Sequence, residues 1–139
     1  MCPETRLYLD HRQSADEREP LPVGWVHTLE DVYRYEPVPA GTSPAAAGRI
    51  RGAQAHLWSE YLDCPRRVDY AAFPRLAALA EVVWSPAERE VLEFIDRLAR
   101  AHLPRLAALG VEYRPLSGPL PWQQRPGVAG LPRERPADG

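Results

Sequence analysis

One stretch constrains this chain more than any other. It is "RIRGAQAHLW", residues 49–58. In an extended chain, side chains alternate between two faces. Ile50, Gly52, Gln54, His56 and Trp58 fall on one face; Arg51, Ala53, Ala55 and Leu57 fall on the other. Neither is a plain solvent face, and the glycine and alanines allow close approach by neighbours. The pattern fits a strand covered on both sides, as in an α/β sheet. It is also the one convincing strand in 139 residues, and a single strand cannot make a sheet. The sequence therefore predicts that this strand pairs with something outside the chain, or that the chain is a fragment.

The remaining segments read mostly as loops and helices. Residues 4–24 are polar and irregular, with a short extended piece expected around Tyr8. Long loops in compact domains are often functional. "HTLEDVYRYEP" predicts a short helix capped by Thr28, with Glu30 and Asp31 in its first turn, where the helix dipole favours anions. "AGTSPAAAG", residues 40–48, reads as a small-residue loop. From Asp69 to Trp84, Phe73, Leu76, Ala80 and Val83 recur at helical spacing, with Pro74 in the first turns. "SPAE" predicts a second helix, with Ser85 as cap, Pro86 at the first position and Glu88 completing a capping box. Its apolar stripe (Val91, Ile95, Leu98, His102, Leu106, Leu109) runs to a cap at Gly110, with a kink expected at Pro104. Beyond Tyr113 the chain is rich in Pro and Gly, and its last residues are expected to be disordered.

Composition excludes several classes. Seventeen cations, all arginine, face 19 carboxylates, so no net charge favours nucleic acid or an anionic membrane. No stretch approaches the roughly 18 apolar residues of a membrane span. Cys2, Pro3 and Glu4 directly after Met1 lack the apolar core of a secretory leader, so none is expected to begin at Met1, which bears little on the protein if its N-terminal part lies upstream. Cys2 and Cys64 lack metal-site spacing and read as free thiols. His11, His27, His56 and His102 form no metal constellation, and no phosphate-binding glycine loop is present. No cofactor is expected.

The residues that could carry chemistry are few. Tyr8 and Asp10 share one side of an extended backbone, as do Trp58 and Glu60. An aromatic plate beside carboxylates suits a sugar: the ring's C–H face packs on the indole and its hydroxyls donate to the carboxylates. From the residues alone, core packing is the better reading of Trp58, and solvated surface charge that of Asp10 and Glu60.

Taken in order, "MCPETRLYLDHRQS", "GWVHTLEDVYRYEPVP", "RGAQAHLWSE" and "VDYAAFPRLAALAEVVWSP" resemble the C-terminal part of the catalytic barrel of family 20 glycoside hydrolases, the β-N-acetylhexosaminidases and chitobiases. The resemblance covers residues 1–114, leaving 115–139 as a Pro/Gly-rich, partly disordered tail. It implies an α/β fold, the C-terminal fragment of a (β/α)8 TIM barrel. Residues 1–3 would end strand seven, 28–35 would be helix seven, 50–58 strand eight and 69–84 helix eight, with a closing helix after Pro86. The N-terminal part of the barrel would lie upstream, and supply the missing partner strands.

The family removes terminal β-linked N-acetylhexosamine with retention, using the substrate's own acetamide as nucleophile. The resemblance gives Tyr8 as the donor that holds the acetamide oxygen and Asp10 as a ligand of a sugar hydroxyl, the 6-hydroxyl. Trp58 becomes part of the apolar floor, Glu60 the acceptor from the 4- and 6-hydroxyls, and Trp25 an aromatic on the leaving-group side. The family's catalytic Asp-Glu pair has no counterpart: Asp16-Glu17 lies in a polar loop and Glu30-Asp31 at a helix start. The chain alone is therefore expected to be inactive. Its expected partners are N-acetylhexosamine-terminated glycans or chitooligosaccharides, bound through the parent enzyme. The alternative is a non-catalytic helical binding or structural remnant.

Overall fold

The computed structural model describes residues 1–20 and 23–135. In chain order the elements are α1 (Glu4–Leu7), β1 (Val23–Gly24), α2 (Leu29–Tyr33), α3 (Pro44–Ala47), α4 (Pro65–Ala72), α5 (Arg75–Trp84), α6 (Val91–Arg97), a π-turn (Leu98–His102), α7 (Leu103–Ala108), a 3-10 turn (Pro121–Gln123) and β2 (Leu131–Pro132). Helices dominate, as they must when the only two-stranded pairing among the described residues is two residues long.

Residues 50–58 are extended, but they join the chain through a bridge rather than a ladder. Tyr8 and His56 pair in parallel. The Leu9 N–H donates to the His56 carbonyl at 2.8 Å, and the His56 N–H to the Leu7 carbonyl at 2.9 Å. Further up, the Gln54 N–H donates to the Met1 carbonyl at 3.0 Å and the Met1 amine to the Gly52 carbonyl. The extended piece expected at Tyr8 is present, preceded by the single turn α1. Covering on both faces is not seen. Ala53, Ala55 and Leu57 pack on the helical core, while Gly52, Gln54 and Trp58 are exposed. Among the described residues, no layer covers the face that carries Trp58.

The core lies on the other side. Leu7 and Leu9 meet Val32 and Tyr33 of α2, Ala78, Leu79 and Val82 of α5, and Phe94, Leu98, Leu103 and Leu106 from the last helical run. Tyr33 stacks on Phe94 with ring centroids 4.8 Å apart. Each fully buried aliphatic side chain contributes roughly 1.5–3 kcal/mol. α2 starts where the sequence places it: Thr28 accepts from the Asp31 N–H and Asp31 accepts from the Thr28 N–H, a closed capping box.

Three helix boundaries differ from expectation. The segment expected as one helix over 69–84 is two. α4 begins at Pro65, and Pro74, lacking an N–H, ends its ladder by holding Phe73 extended (φ −105°, ψ 138°). The capping box at Ser85 does not form. Ser85 terminates α5 in an extended conformation, as a residue before proline prefers. α6 starts only at Val91, after Glu90. The linker is held instead by Arg89, which donates to the Pro86 carbonyl at 3.1 Å and lies 5.9 Å from the Tyr33 ring centre. Finally, the irregularity tied to Pro104 is the π-turn just before it: the wider turn places Pro104 in the first turn of α7. Residues 43–47 also differ, forming a helical turn capped by Ser43 in place of a plain loop.

Gly110 closes α7 in a left-handed conformation (φ 76°). The Val111 N–H reaches back to Leu106 and the Gly110 N–H to Ala107, both at 3.0 Å, a Schellman cap. Residues 115–135 then run back along the molecule. β2 pairs in parallel with β1, Val23 opposite Leu131, and Arg135 donates to the Thr5 carbonyl at 2.9 Å. The disorder expected of the last residues falls on 136–139, outside the described residues.

Candidate functional site

The site is built on the parallel contact between residues 7–9 and 56. That register sets the Tyr8 ring 5.0 Å from the His56 ring and 6.4 Å from the Trp58 ring, inclined at 50° to the latter. Trp58 is 53% exposed and Glu60 is exposed beside it. The alternation of residues 54–58 puts Gln54, His56 and Trp58 on the open face, where Gln54 Nε2 meets His56 Nε2 at 2.7 Å.

Asp10 sits deeper. It is buried, and its Oδ1 has no hydrogen-bond partner within the described residues. Burial pushes its pKa up; its own backbone N–H and the nearby Arg75 guanidinium pull it down, while the charges of Glu60 and Glu4 add to the rise. The Glu60 charge thus reaches Asp10.

Trp25 is brought in from the far end of the same loop. Its indole meets the His11 ring edge-on, centroids 4.2 Å apart, and its Nε1–H is buried without a partner. Gly24 makes this contact possible. Its φ is +63°, and a Cβ there would lie 2.6 Å from His11 Nδ1, so only glycine admits the ring. His11 in turn lies 6.3 Å from Tyr8, which links Trp25 to the other aromatics. Burial and the charges of Arg75 and Arg133 hold the His11 pKa down to about 4, so the ring is neutral at physiological pH.

The structure therefore brings the Tyr8 and Trp58 rings together on the open face, sets the buried Asp10 within reach of the Glu60 charge, and joins Trp25 to Tyr8 through His11. Sequence reading missed three supports: His11, Gly24 and Arg75. "GW" is a visible signal for the second of these, since a glycine before a buried aromatic often marks close approach. No grouping of His, Cys, Asp or Glu among the described residues could hold a metal, and Cys2 and Cys64 are free thiols. Surface depressions of about 410 and 480 Å³ lie elsewhere. One is lined by Cys64, Tyr70 and Trp122, the other by Trp84, Phe94 and Leu98. Neither touches the five candidate residues. The two adjacent carboxylate pairs are engaged in local structure: Asp16 with Arg18, Asp31 in the α2 cap.

Comparison with known proteins agrees with the resemblance. The family described as glycosyl hydrolase family 20, catalytic domain, matches residues 1–87. A β-hexosaminidase of Porphyromonas gingivalis is 40% identical over 122 residues, covering 87% of this chain and 15% of its own length. Among solved structures, a family 20 exo-β-N-acetylglucosaminidase from Vibrio harveyi, in complex with N-acetylglucosamine, superposes with a TM-score of 0.72 at 41% identity. It covers 82% of this chain and 18% of its own. A β-N-acetylhexosaminidase from Streptomyces coelicolor gives a TM-score of 0.69 at 36% identity, covering 85% and 24%. These neighbours are TIM-barrel enzymes, and this chain, a small and mostly helical piece, spans less than a quarter of their length. The chain belongs to glycoside hydrolase family 20, within its catalytic domain.

Proposed function

We propose that this chain forms the C-terminal part of the catalytic barrel of a β-N-acetylhexosaminidase and supplies one rim of its donor-sugar pocket. Residues 1–114 are the barrel portion and 115–139 an appended tail. Residues 1–3 and 50–58 are barrel strands seven and eight. The observation that carries this reading is the backbone contact of Met1 with Gly52 and Gln54, followed beyond α1 by the parallel bridge of Tyr8 with His56. Adjacent strands of a (β/α)8 barrel run parallel, and their C-terminal ends open onto the active site.

In this reading each side chain has a distinct task. The Tyr8 hydroxyl donates to the substrate's acetamide oxygen, which attacks the anomeric carbon to give an oxazolinium intermediate with retention. A fixed donor at that oxygen holds the nucleophile in line and stabilises the charge that develops. Trp58 offers its open indole face as the floor under the sugar. Glu60 accepts from the 4- and 6-hydroxyls, and the unpartnered Oδ1 of Asp10 accepts from the 6-hydroxyl. Trp25 bounds the leaving-group side. The carboxylates that orient the acetamide and protonate the leaving group come from the remainder of the barrel.

Two assays test this. The purified 139-residue chain should release no chromophore from a chromogenic N-acetyl-β-glucosaminide above a buffer blank. A chimaera in which residues 1–114 replace the matching segment of the Vibrio harveyi enzyme should hydrolyse it, and Trp58→Ala in that chimaera should lower kcat/KM by roughly tenfold or more. Hydrolysis by the chain alone, or a Trp58→Ala chimaera as active as its parent, sinks the proposal.

A further inference from the structure

Arg75 is an anomaly by ordinary rules. It is the first residue of α5 and fully buried, yet no carboxylate among the described residues lies within ion-pair distance of it. A buried charge without a direct counter-ion is costly unless hydrogen bonds satisfy it. Here backbone carbonyls do so at the two terminal nitrogens, while Nε has no partner among the described residues. Nη2 donates to Leu9 and to Ala71, the latter at 2.8 Å. Nη1 donates to His11 at 3.0 Å and to His27 at 2.9 Å.

The identity of those carbonyls is informative. Leu9 and His11 are the residues on either side of Asp10. His27 is two residues past Trp25. Ala71 belongs to α4, so the same head group also ties the loop to the helical layer. If cohesion were all that was needed, an apolar side chain of similar volume would serve as well or better. What an apolar side chain cannot do is pin two carbonyls flanking a single residue. A main chain held at both flanks fixes where that residue's Cα lies and the direction in which its side chain leaves the backbone.

We propose that Arg75 is a positioning residue for sugar recognition: its planar guanidinium fixes the backbone on both sides of Asp10 and beyond Trp25, and thereby sets where the Asp10 carboxylate meets the sugar. This rests on the preceding assignment of Asp10 to the 6-hydroxyl. Lysine should not substitute, because its ammonium is a point donor and lacks the flat fork that reaches both flanks at once.

The test uses the active chimaera and two substrates, a chromogenic N-acetyl-β-glucosaminide and its 6-deoxy analogue. The readout is the ratio of their kcat/KM values, which does not depend on how much protein folds. The parent chimaera should favour the 6-hydroxyl substrate by about ten- to hundredfold, the discrimination expected of a hydrogen bond to a charged group. Asp10→Ala should lower that ratio. Arg75→Lys and Arg75→Gln should lower it by about tenfold, although neither changes a group that touches the sugar. A preserved ratio in both Arg75 variants, alongside a collapsed ratio in Asp10→Ala, overturns the role of Arg75 and leaves the Asp10 assignment standing. A preserved ratio in Asp10→Ala, or a parent chimaera without activity, overturns the underlying assignment and this inference with it. If one Arg75 variant yields no soluble protein, the other and any soluble residue of the first still report the ratio.

Discussion

His27 makes the stability of this chain depend on pH in a way that can be calculated. Its side chain is fully buried. Nδ1 lies 3.4 Å from the Tyr8 carbonyl, and Nε2 has no partner within the described residues. Burial, with the Arg75 charge adding to it, holds its pKa down to about 3. In the unfolded chain the same imidazole titrates near 6.5. Between those values the unfolded state binds the extra proton, so stability falls as pH falls. From pH 7.5 to pH 5 this one residue should remove roughly 2 kcal/mol, a large share of the 5–15 kcal/mol typical of a folded domain. His11 acts in the same direction. The depressed carboxyls of Asp16, Asp31 and Asp63 lose their contributions only below the ordinary carboxylate range, outside this window. Asp10, whose pKa is raised, works weakly the other way. The perturbation is His27→Asn, which keeps a short amide donor near the Tyr8 carbonyl but cannot gain a charge. Urea unfolding, followed by circular dichroism at low micromolar concentration, gives the stability at each pH. The variant should start less stable and lose about 2 kcal/mol less than the parent between pH 7.5 and 5. Equal losses in the two proteins would show that His27 is not the buried neutral group described here.

Two further outcomes follow from specific contacts. Glu19, its side chain 1% exposed, pairs with Arg114 at 2.8 Å and also accepts from Ser14 Oγ and the Tyr70 hydroxyl. Arg114→Ala leaves that carboxylate buried with two hydroxyls and should cost about 2–3 kcal/mol at pH 7.5. Glu19→Gln combined with Arg114→Met should cost less than the two single changes summed, as a double-mutant cycle would show. Gly24→Ala forces a Cβ into the His11 ring at a positive φ and should destabilise by roughly 1–3 kcal/mol. It should also alter the near-UV circular dichroism of Trp25; an unchanged spectrum would refute the Gly24–His11–Trp25 packing.

What the sequence made legible was local or strongly patterned. Thr28 and Asp31 cap α2 using atoms three residues apart, and that chemistry can be read from four letters. Gly110 closes α7 for the same reason. The "SPAE" signal misled because it is equally compatible with a helix end. Ser85 instead follows the last residue of α5 as its extended C-cap, and nothing in the four letters says which neighbouring helix it serves. At Pro74 the helical periodicity of 69–84 was genuine on both sides, but it hid a break, since two helices packed on one core show the same stripe as one. Alternation placed Trp58 on the open face, but Ser59 and Glu60 form a turn and do not continue it. Arg75 could not be found, because its partners are carbonyls, which every residue carries and no sequence displays. The same holds for the β1–β2 contact, whose two-residue strands have no periodicity to detect.

That contact has a consequence for how the protein is made. The loop from Tyr8 to His27 leaves the ribosome well before residues 131–133, yet its Val23–Gly24 edge is paired by residues 131–132, and the Gly24 carbonyl accepts from the Arg133 N–H at 3.1 Å. Arg114, also late in the chain, neutralises Glu19 inside the same loop. The helical layer can assemble as it is translated, since domains acquire structure from the N-terminus onward during synthesis. The loop must wait for its final restraints until more than a hundred further residues have been added. During that interval Glu19 and the Val23–Gly24 edge face solvent, and a nascent chain stalled before residue 114 would carry Tyr8, Asp10 and Trp25 without the segment that locks their loop.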